Sequence, residues 1–294
     1  RESLNANKIF WIAGIINGTT NFILTKMLKS KKDFNDVLEE AKKLGYAEAD
    51  PSFDIGGIDA AHKLTILSSI AFGIPLDFGS IYVEGIEHIE LDDLNYAKEL
   101  GYVIKHLAIG RRAKNGIELR VHPCLIPKSR LIANVDGVKN AVVVSSDAAG
   151  PTLYYGAGAG SLATASAVVS DIIDLSRRII SKSSANVPLL GYQRVSQSKE
   201  NILDISEIKS RYYLRIRVIN EPGVLAGITK IFGSKSISIE SILQKEDLIN
   251  DEFVPIVLVT HAVIEKNITA ALLDIENLKV VKDKIIKIRI EELD

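Results

Sequence analysis

The sequence predicts an α+β protein, a mixed sheet covered by helices followed by a ferredoxin-like β-α-β-β-α-β domain. Three observations carry this. Strand and helix patterns alternate irregularly up to Ile180, with several strands adjacent in sequence. The stretch SKSSANVPLLGYQRVSQSKE from Ser181 to Glu200 is then polar and aperiodic, as a linker is. From Tyr212 a fresh alternation begins and runs to the end of the chain. The expected organisation is a first domain over 1–185, a linker over 186–211 and a second domain over 212–294.

The elements follow in order. Ile9 to Ile16 is apolar, β-branched and closed by Asn17-Gly18, so it reads as a strand. Asn17 to Asn21 is a polar turn leading into a helix through Leu28, with Thr20 or Asn21 as its simplest cap. Asp33 caps a helix over Phe34–Leu44, which Gly45 ends. Gly45 to Gly57 is a Gly/Pro loop, and Ile58 to Phe72 is helical, closed by Gly73 and Pro75. A strand near Ile81–Ile89, a helix capped by Asp92 through Leu100, and strands near Tyr102–Arg111 and Ile117–Leu125 follow. A short helix near Pro127, strands near Ala141–Val144 and Thr152–Tyr155, and a helix over Leu162–Ile180 complete the first domain. In the second, strands at Tyr212–Ile219, Ile237–Gln244, Phe253–Val263 and Ile285–Ile290 alternate with helices at Gly223–Phe232 and Ile268–Ile275.

Composition narrows the function. The 294 residues are 47% hydrophobic and 25% charged, ordinary for a globular chain with two cores. With 36 basic and 37 acidic side chains the net charge is -1, which favours neither nucleic acid nor an anionic membrane. A single cysteine, Cys124, permits no intrachain disulfide and fits a reducing cytoplasm. No apolar run approaches the roughly 18 residues that span a bilayer. The five histidines show no ligand spacing, so no metal is expected.

The chemistry concentrates in GYAEADPSFDIGGIDAAHK, Gly45 to Lys63. Glu48, Asp50, Asp54 and Asp59 crowd a short loop and helix start that end in Lys63. Asp59 and Lys63, four apart, share a helix face with Ile66, Leu67 and Ile70, so the pair is expected to be half buried. A lysine so placed suits general acid/base work. The same spacing also describes an ordinary surface pair, but an acidic loop feeding into it suits a pocket for a cationic or zwitterionic ligand. A second motif, Gly156-Ala157-Gly158-Ala159-Gly160, precedes a helix and would let a phosphate approach the backbone. It equally fits a closely packed turn.

Three blocks, GIINGTTNFILTKM (Gly14–Met27), GYAEADPSFDIGGIDAAHKL (Gly45–Leu64) and GPTLYYGAGAGSLATASAVVSDI (Gly150–Ile172), resemble homoserine dehydrogenase in the family's order, and the likeness runs from Arg1 to about Ile180. The resemblance implies NAD- or NADP-dependent interconversion of homoserine and aspartate semialdehyde on the route to threonine, methionine and isoleucine. It makes Lys63 the acid/base and Asp59 its catalytic partner. Glu48 becomes the holder of the substrate ammonium, and Asp54, Tyr46, Thr19 and Gly18 substrate contacts. Gly158 and Gly160 become cofactor contacts. Gly56 departs from the family, where many members carry a larger or charged residue.

Arg1 opens the chain, Met27 is its only methionine, and no GxGxxG appears near the start. The family's dinucleotide domain is therefore expected to precede this piece, which alone would be inactive. From Tyr212 to Asp294 the element order and the Asn220-Glu221-Pro222-Gly223 turn resemble an ACT domain, an amino-acid sensor. That resemblance implies effector contacts at Asn220, Gly223 and Leu225, threonine as the first candidate effector, and pairing into a homodimer or homotetramer. Two rival readings remain at this point. Lys63 could form a Schiff base in a lyase or aldolase, or the chain could be a non-catalytic amino-acid-binding regulator.

Overall fold

In the computed structural model, which describes residues 3–181, 200–244 and 252–294, eleven strands share one sheet. The first half supplies β1 (Ile9–Ile15), β2 (Tyr82–Val83), β3 (Tyr102–Ala113), β4 (Gly116–Pro127), β5 (Lys139–Ser146) and β6 (Gly150–Ala157). The second supplies β7 (Lys209–Ile219), β8 (Ile239–Gln244), β9 (Phe253–Thr260), β10 (Val263–Ile264) and β11 (Val281–Ile290). The order is β6-β5-β1-β3-β4-β11-β7-β9-β8, with β2 on β4 and β10 on β7. Only the pairings of β2 and β11 with β4 are parallel among these strands. The sheet is mixed, as the sequence predicts, and β7 to β11 with their helices have the ferredoxin-like order.

The helices are α1 (Gly18–Ser30), α2 (Phe34–Lys43), α3 (Ser52–Ile55), α4 (Ile58–Phe72), α5 (Leu91–Glu99), α6 (Ser161–Ser181), α7 (Val224–Ser234) and α8 (Glu265–Glu276). Apolar residues of α1, α2 and α5 pack with Ile104 and Leu125 of the first half and with Tyr213, Val257 and Ile288 of the second. One core therefore spans both halves. A second core lies between β7, β9, α7 and α8, around Ile216, Ile228, Phe232, Leu258 and Ile275.

Local details depart from the sequence reading. The strand expected over Ile81–Ile89 shortens to Tyr82–Val83. Beyond it the backbone leaves the ladder, and Ile86 N donates to Ile55 O at 3.0 Å instead. The fifth helix is not capped by Asp92. It starts at Leu91, and Asp93 reaches back to accept from Glu90 N at 3.0 Å. The acidic loop contains a helical turn, α3, because Asp54, Ile55 and Gly56 each donate to Pro51 or Ser52 carbonyls. The short helix expected near Pro127 is a 3₁₀ turn at Leu131–Asn134. Of the linker read over 186–211, residues 186–199 lie outside the described residues. Residues 200–211 run along the sheet: Ile202 bridges Ile117, a 3₁₀ turn covers Ile205–Glu207, and β7 begins at Lys209.

The halves are joined by buried charge. Arg120 donates to Glu291 at 2.5 Å and to Glu118, and Arg111 donates to the second oxygen of Glu291 at 3.0 Å. Arg289 grips Glu265, which also takes the Tyr212 hydroxyl at 2.6 Å and pairs with Lys287. On the other side of the junction Arg215 binds Asp93 through two nitrogens at 2.7 and 3.1 Å, and Tyr213 OH adds a bond at 2.9 Å. The last residues return to the first half, where Glu291 N bonds Leu125 O and Trp11 Nε1 bonds Asp294 O. Among the described residues no helix is long and apolar enough to cross a membrane.

These groups set the pH response. Burial alone would raise the Glu291 carboxyl, but Arg120 and Arg111 hold it down at about 2, from an ordinary 4.5. Glu265 is likewise raised by burial and held down at about 2 by Arg289 and Lys287. Burial, with Arg289 and Arg120 close by, lowers His122 to about 3, and burial lowers His106 to about 4. In every case the unfolded chain binds the proton first, so stability rises with pH. Thermal melts are expected to weaken from pH 6.5 downward as the unfolded histidines charge. The loss should steepen below pH 4.5 as the unfolded carboxylates protonate. A melting temperature flat from pH 7 to pH 4 would contradict this.

Candidate active site

The end of β1 places one wall. Asn17 caps α1: its Oδ1 accepts from Thr20 N at 2.9 Å, so Asn17 is the cap, not Thr20 or Asn21. Asn21 serves instead as an anchor. Its Nδ2 donates to the carbonyls of Val135, Gly137 and Lys139, which ties α1 to the segment entering β5. Gly18 lies against that segment, where an added Cβ would stand 3.0 Å from Val138 O.

The acidic turn supplies the opposite wall. Gly57, at φ 85°, takes a left-handed conformation that turns α3 into α4. Asp54 on α3 and Asp59 on α4 then converge on Asn17, whose Nδ2 donates to Asp54 Oδ1 at 2.7 Å and to Asp59 Oδ2 at 2.9 Å. Thr19 Oγ1 contacts Tyr46 O at 2.7 Å and Asp54 Oδ2 at 3.1 Å. Lys63 Nζ lies 2.6 Å from Asp59 Oδ2 and donates to Ile16 O at 3.0 Å. Two carboxylates, an amide, a hydroxyl and an ammonium thus meet where β1 ends.

The half-burial expected of the Asp59–Lys63 pair on α4 holds, the side chains being 22% and 46% exposed, but the helix's fully packed face is a different one. Its packed face is Ala60, Ala61, Leu64, Ser68 and Ser69, small enough to bring the helix close to the sheet. Along the face continuing from Lys63, Leu67 and Ile70 are half buried and Ile66 is 50% exposed. Lys63 presents its ammonium to the outside of this fold. His62 turns away and lies between the rings of Phe53 and Phe78.

The remaining predicted residues are more dispersed. Tyr46 is half exposed, its ring 5.0 Å from that of Phe22 at the edge of the cluster. Glu48 is exposed just beyond it and has no side-chain partner among the described residues. Gly158 and Gly160 form the exposed turn that starts α6, with Gly160 at φ 111°. A Cβ on Gly158 would collide with the Asn140 amide, and nothing lies within 4 Å of one on Gly160. Ala157 pairs with Lys139, and Ile15 with Ala141, so this turn lies at the sheet end that carries Asn17. An open glycine turn at a helix N-terminus fits the phosphate side of a dinucleotide. α6 itself has no buried residue.

In the second half, Asn220 and Gly223 are exposed and Leu225 is half buried, at the turn opening α7. Gly223, at φ 92°, is the N-cap of that helix.

Asn17 is the site residue that sequence reasoning did not single out. Its signal was present, since Asn is a preferred N-cap, but its second role needed the turn at Gly57 to bring both carboxylates to one amide. Asn17→Ala should cost about 0.5–2 kcal/mol through the lost cap. Asn17→Asp keeps a capping oxygen yet adds a third carboxylate, so it should be no more stable than the alanine variant. Urea unfolding checks both, and a wild-type midpoint for Asn17→Asp would overturn the bridging role.

Known proteins resemble the chain along its whole length. A family model for homoserine dehydrogenase matches residues 1–173, and one for the ACT domain matches residues 212–279. Homoserine dehydrogenase from Pseudomonas aeruginosa is 55% identical over 294 residues, covering 100% of this chain and 68% of the relative. That from Neisseria gonorrhoeae is 52% identical, covering 100% of this chain and 67% of the relative. Among solved structures, a homoserine dehydrogenase from Thiobacillus denitrificans superposes with a TM-score of 0.94 at 56% identity, covering 100% of this chain and 66% of that one. A hyperthermophilic archaeal homoserine dehydrogenase mutant in complex with NADPH matches with a TM-score of 0.52 at 34% identity, over 60% of this chain and 50% of that one. The chain spans about two thirds of the length of these first relatives.

Proposed function

The chain belongs to the homoserine dehydrogenase family, and from that premise we propose that its site interconverts L-homoserine and L-aspartate 4-semialdehyde with NAD or NADP, under amino-acid control from the ACT domain. The observation that carries the reading is the contact of Lys63 Nζ with Asp59 at 2.6 Å, on a half-exposed face of α4 beside an amide-bridged carboxylate pair. A nicotinamide bound here would supply the hydride chemistry at the carbinol carbon. Gly158 and Gly160 are the residues of this chain suited to hold its phosphate side.

The protein's own groups do the rest. Asp59 and Ile16 O fix Lys63 Nζ in one place, so the proton it gives or takes has a defined position. In reduction Lys63 donates a proton to the aldehyde oxygen as negative charge develops there. In oxidation the neutral amine removes the hydroxyl proton. Asp54, held by Asn17 and Thr19, faces the same space and sets the local negative charge that receives a zwitterion. Glu48, exposed and without a side-chain partner among the described residues, is the carboxylate suited to take the substrate ammonium. Buried free Cys124 is consistent with a reducing cytoplasm.

In the longest natural form of the protein, Lys63→Ala should reduce turnover about 100- to 10,000-fold with cofactor affinity nearly unchanged. In the same assay Glu48→Gln should mainly raise the homoserine KM. Steady-state kinetics test both, and Lys63→Ala retaining more than a tenth of wild-type turnover would sink the acid/base role.

The ACT reading rests on the exposed Asn220–Gly223 turn, whose backbone donors at the start of α7 suit a carboxylate. Threonine is the first candidate, held where two copies of the module meet in a homodimer or homotetramer. A coupling of about 1–3 kcal/mol to the site is the reasonable scale. Gly223→Asp should abolish inhibition by threonine while uninhibited turnover is kept. No inhibition and no thermal stabilisation of the wild type by threonine or other small amino acids would remove the effector role.

A further inference from the structure

β2 and β11 lie end to end on the same edge of β4. Tyr82 and Val83 pair with Arg120 and Val121, and Arg289 and Ile290 pair with Cys124 and Leu125. Arg289 is fully buried at this meeting point. Within the second half its Nε and Nη2 donate to Glu265 at 2.9 and 2.6 Å. Its Nη1 crosses to the first half and donates to Glu84 Oε2 at 2.9 Å. Tyr82 OH donates to the same oxygen at 2.8 Å, and His88 Nε2 lies 3.2 Å from the other.

Glu84 is in turn the head of a short platform. Its N donates to Val121 O at 2.8 Å, and its carbonyl accepts from His106 Nε2 at 3.0 Å. Ile86 N then donates to Ile55 O, the last residue of α3. Gly85 approaches so closely that a Cβ there would stand 2.6 Å from Ile55 O. The His106 ring lies under Gly57, where an added Cβ would meet Cε1 at 3.1 Å. The turn that aims Asp54 and Asp59 thus rests on residues 84–86 and His106, and that platform is clamped from the other half of the molecule.

We propose that Arg289 is a positioning residue of the active site, which through Glu84 fixes the platform under the Ile55–Gly57 turn and so the placement of Asp54 and Asp59. The inference rests on the reading of those carboxylates as substrate-side groups. Without the guanidinium, Glu265 keeps Lys287 as its cation, whereas Glu84 loses its tie to the second half and the platform loses its clamp. A lysine keeps the charge but lacks the planar fork that holds two carboxylates at once.

The test uses the longest natural form of the protein with Arg289→Met, Arg289→Lys and Glu84→Gln. Arg215→Met, which breaks another buried bridge between the halves, serves as the matched control. Amide hydrogen exchange over residues 52–59 should speed up about tenfold in Arg289→Met and Glu84→Gln, with α1 unchanged. The homoserine KM should rise about 5- to 20-fold, with the cofactor KM unchanged. Arg289→Lys should recover part of both effects, and the double variant should be no worse than the single ones. Arg215→Met should lower the melting temperature and move neither readout. Should Arg289→Met fail to fold, Glu84→Gln decides. Exchange over 52–59 and homoserine KM both within twofold of wild type in a folded Arg289 or Glu84 variant would overturn the proposal. A wild type that does not oxidise homoserine would instead overturn the proposed activity, and the exchange comparison would then decide the positioning link by itself.

Discussion

Arg120 and Arg289, both fully buried, are tied to Glu118, Glu291, Glu265 and Glu84 along the outer edge of β4, with Arg111 and Lys287 completing the balance. Much of the molecule depends on that arrangement. A guanidinium taken out of water carries a penalty of several kcal/mol that only well-placed carboxylates offset. Breaking a matched buried pair by removing one partner costs about 3–5 kcal/mol. The requirement is therefore for register. β11 must lie on β4 with Arg289 opposite Cys124, or the charges do not meet. His122 sits within this cluster as a neutral ring, accepting from Arg120 on Nε2 and donating from Nδ1 to Pro123 O. A further positive charge there would be repelled by the arginines, so burial and the two guanidiniums hold the ring neutral.

The consequence is a sheet that does not stop at the domain boundary. An isolated ferredoxin-like module has its last strand at an edge. Here that strand is internal, shared between β7 and β4, and the four residues after it close back over Leu125 and Trp11. The sensor-like half and the catalytic-looking half are consequently packed through a common core, with Tyr213, Val257 and Ile288 among residues of α1, α2 and α5. A change in the geometry of β7 or β11 has a direct mechanical route to β2 and to the turn it supports.

The site is economical in a related way. Asp54 and Asp59 would repel each other if brought together bare. One amide, that of Asn17, donates to both, and Lys63 neutralises the second. The same Asn17 caps α1, so the helix that carries Thr19 and the carboxylates that surround it are fixed by a single side chain. Local negative charge is kept, in reach of solvent, on a rigid frame.

Much of this was legible in the sequence because it depends on short-range pattern. Hydrophobic alternation and punctuation by glycine and proline give the order of elements, and the i,i+4 spacing of Asp59 and Lys63 makes them neighbours on one helix face. The three family blocks and the Asn220–Gly223 turn likewise carry their meaning in linear order. What only the tertiary structure decided is long-range. Nothing in the alternation of Ile285–Ile290 says that it pairs with a strand some 165 residues earlier. Nor can periodicity tell that Ala60, Ala61 and Leu64 bury while Ile66 stays open, because which face packs depends on how closely the helix can approach the sheet. The double role of Asn17 and the bridge from Glu265 through Arg289 to Glu84 depend on side chains remote in sequence. Each is a charged or polar group whose partner exists only after the chain has folded, so desolvation and pairing, not local propensity, determine them.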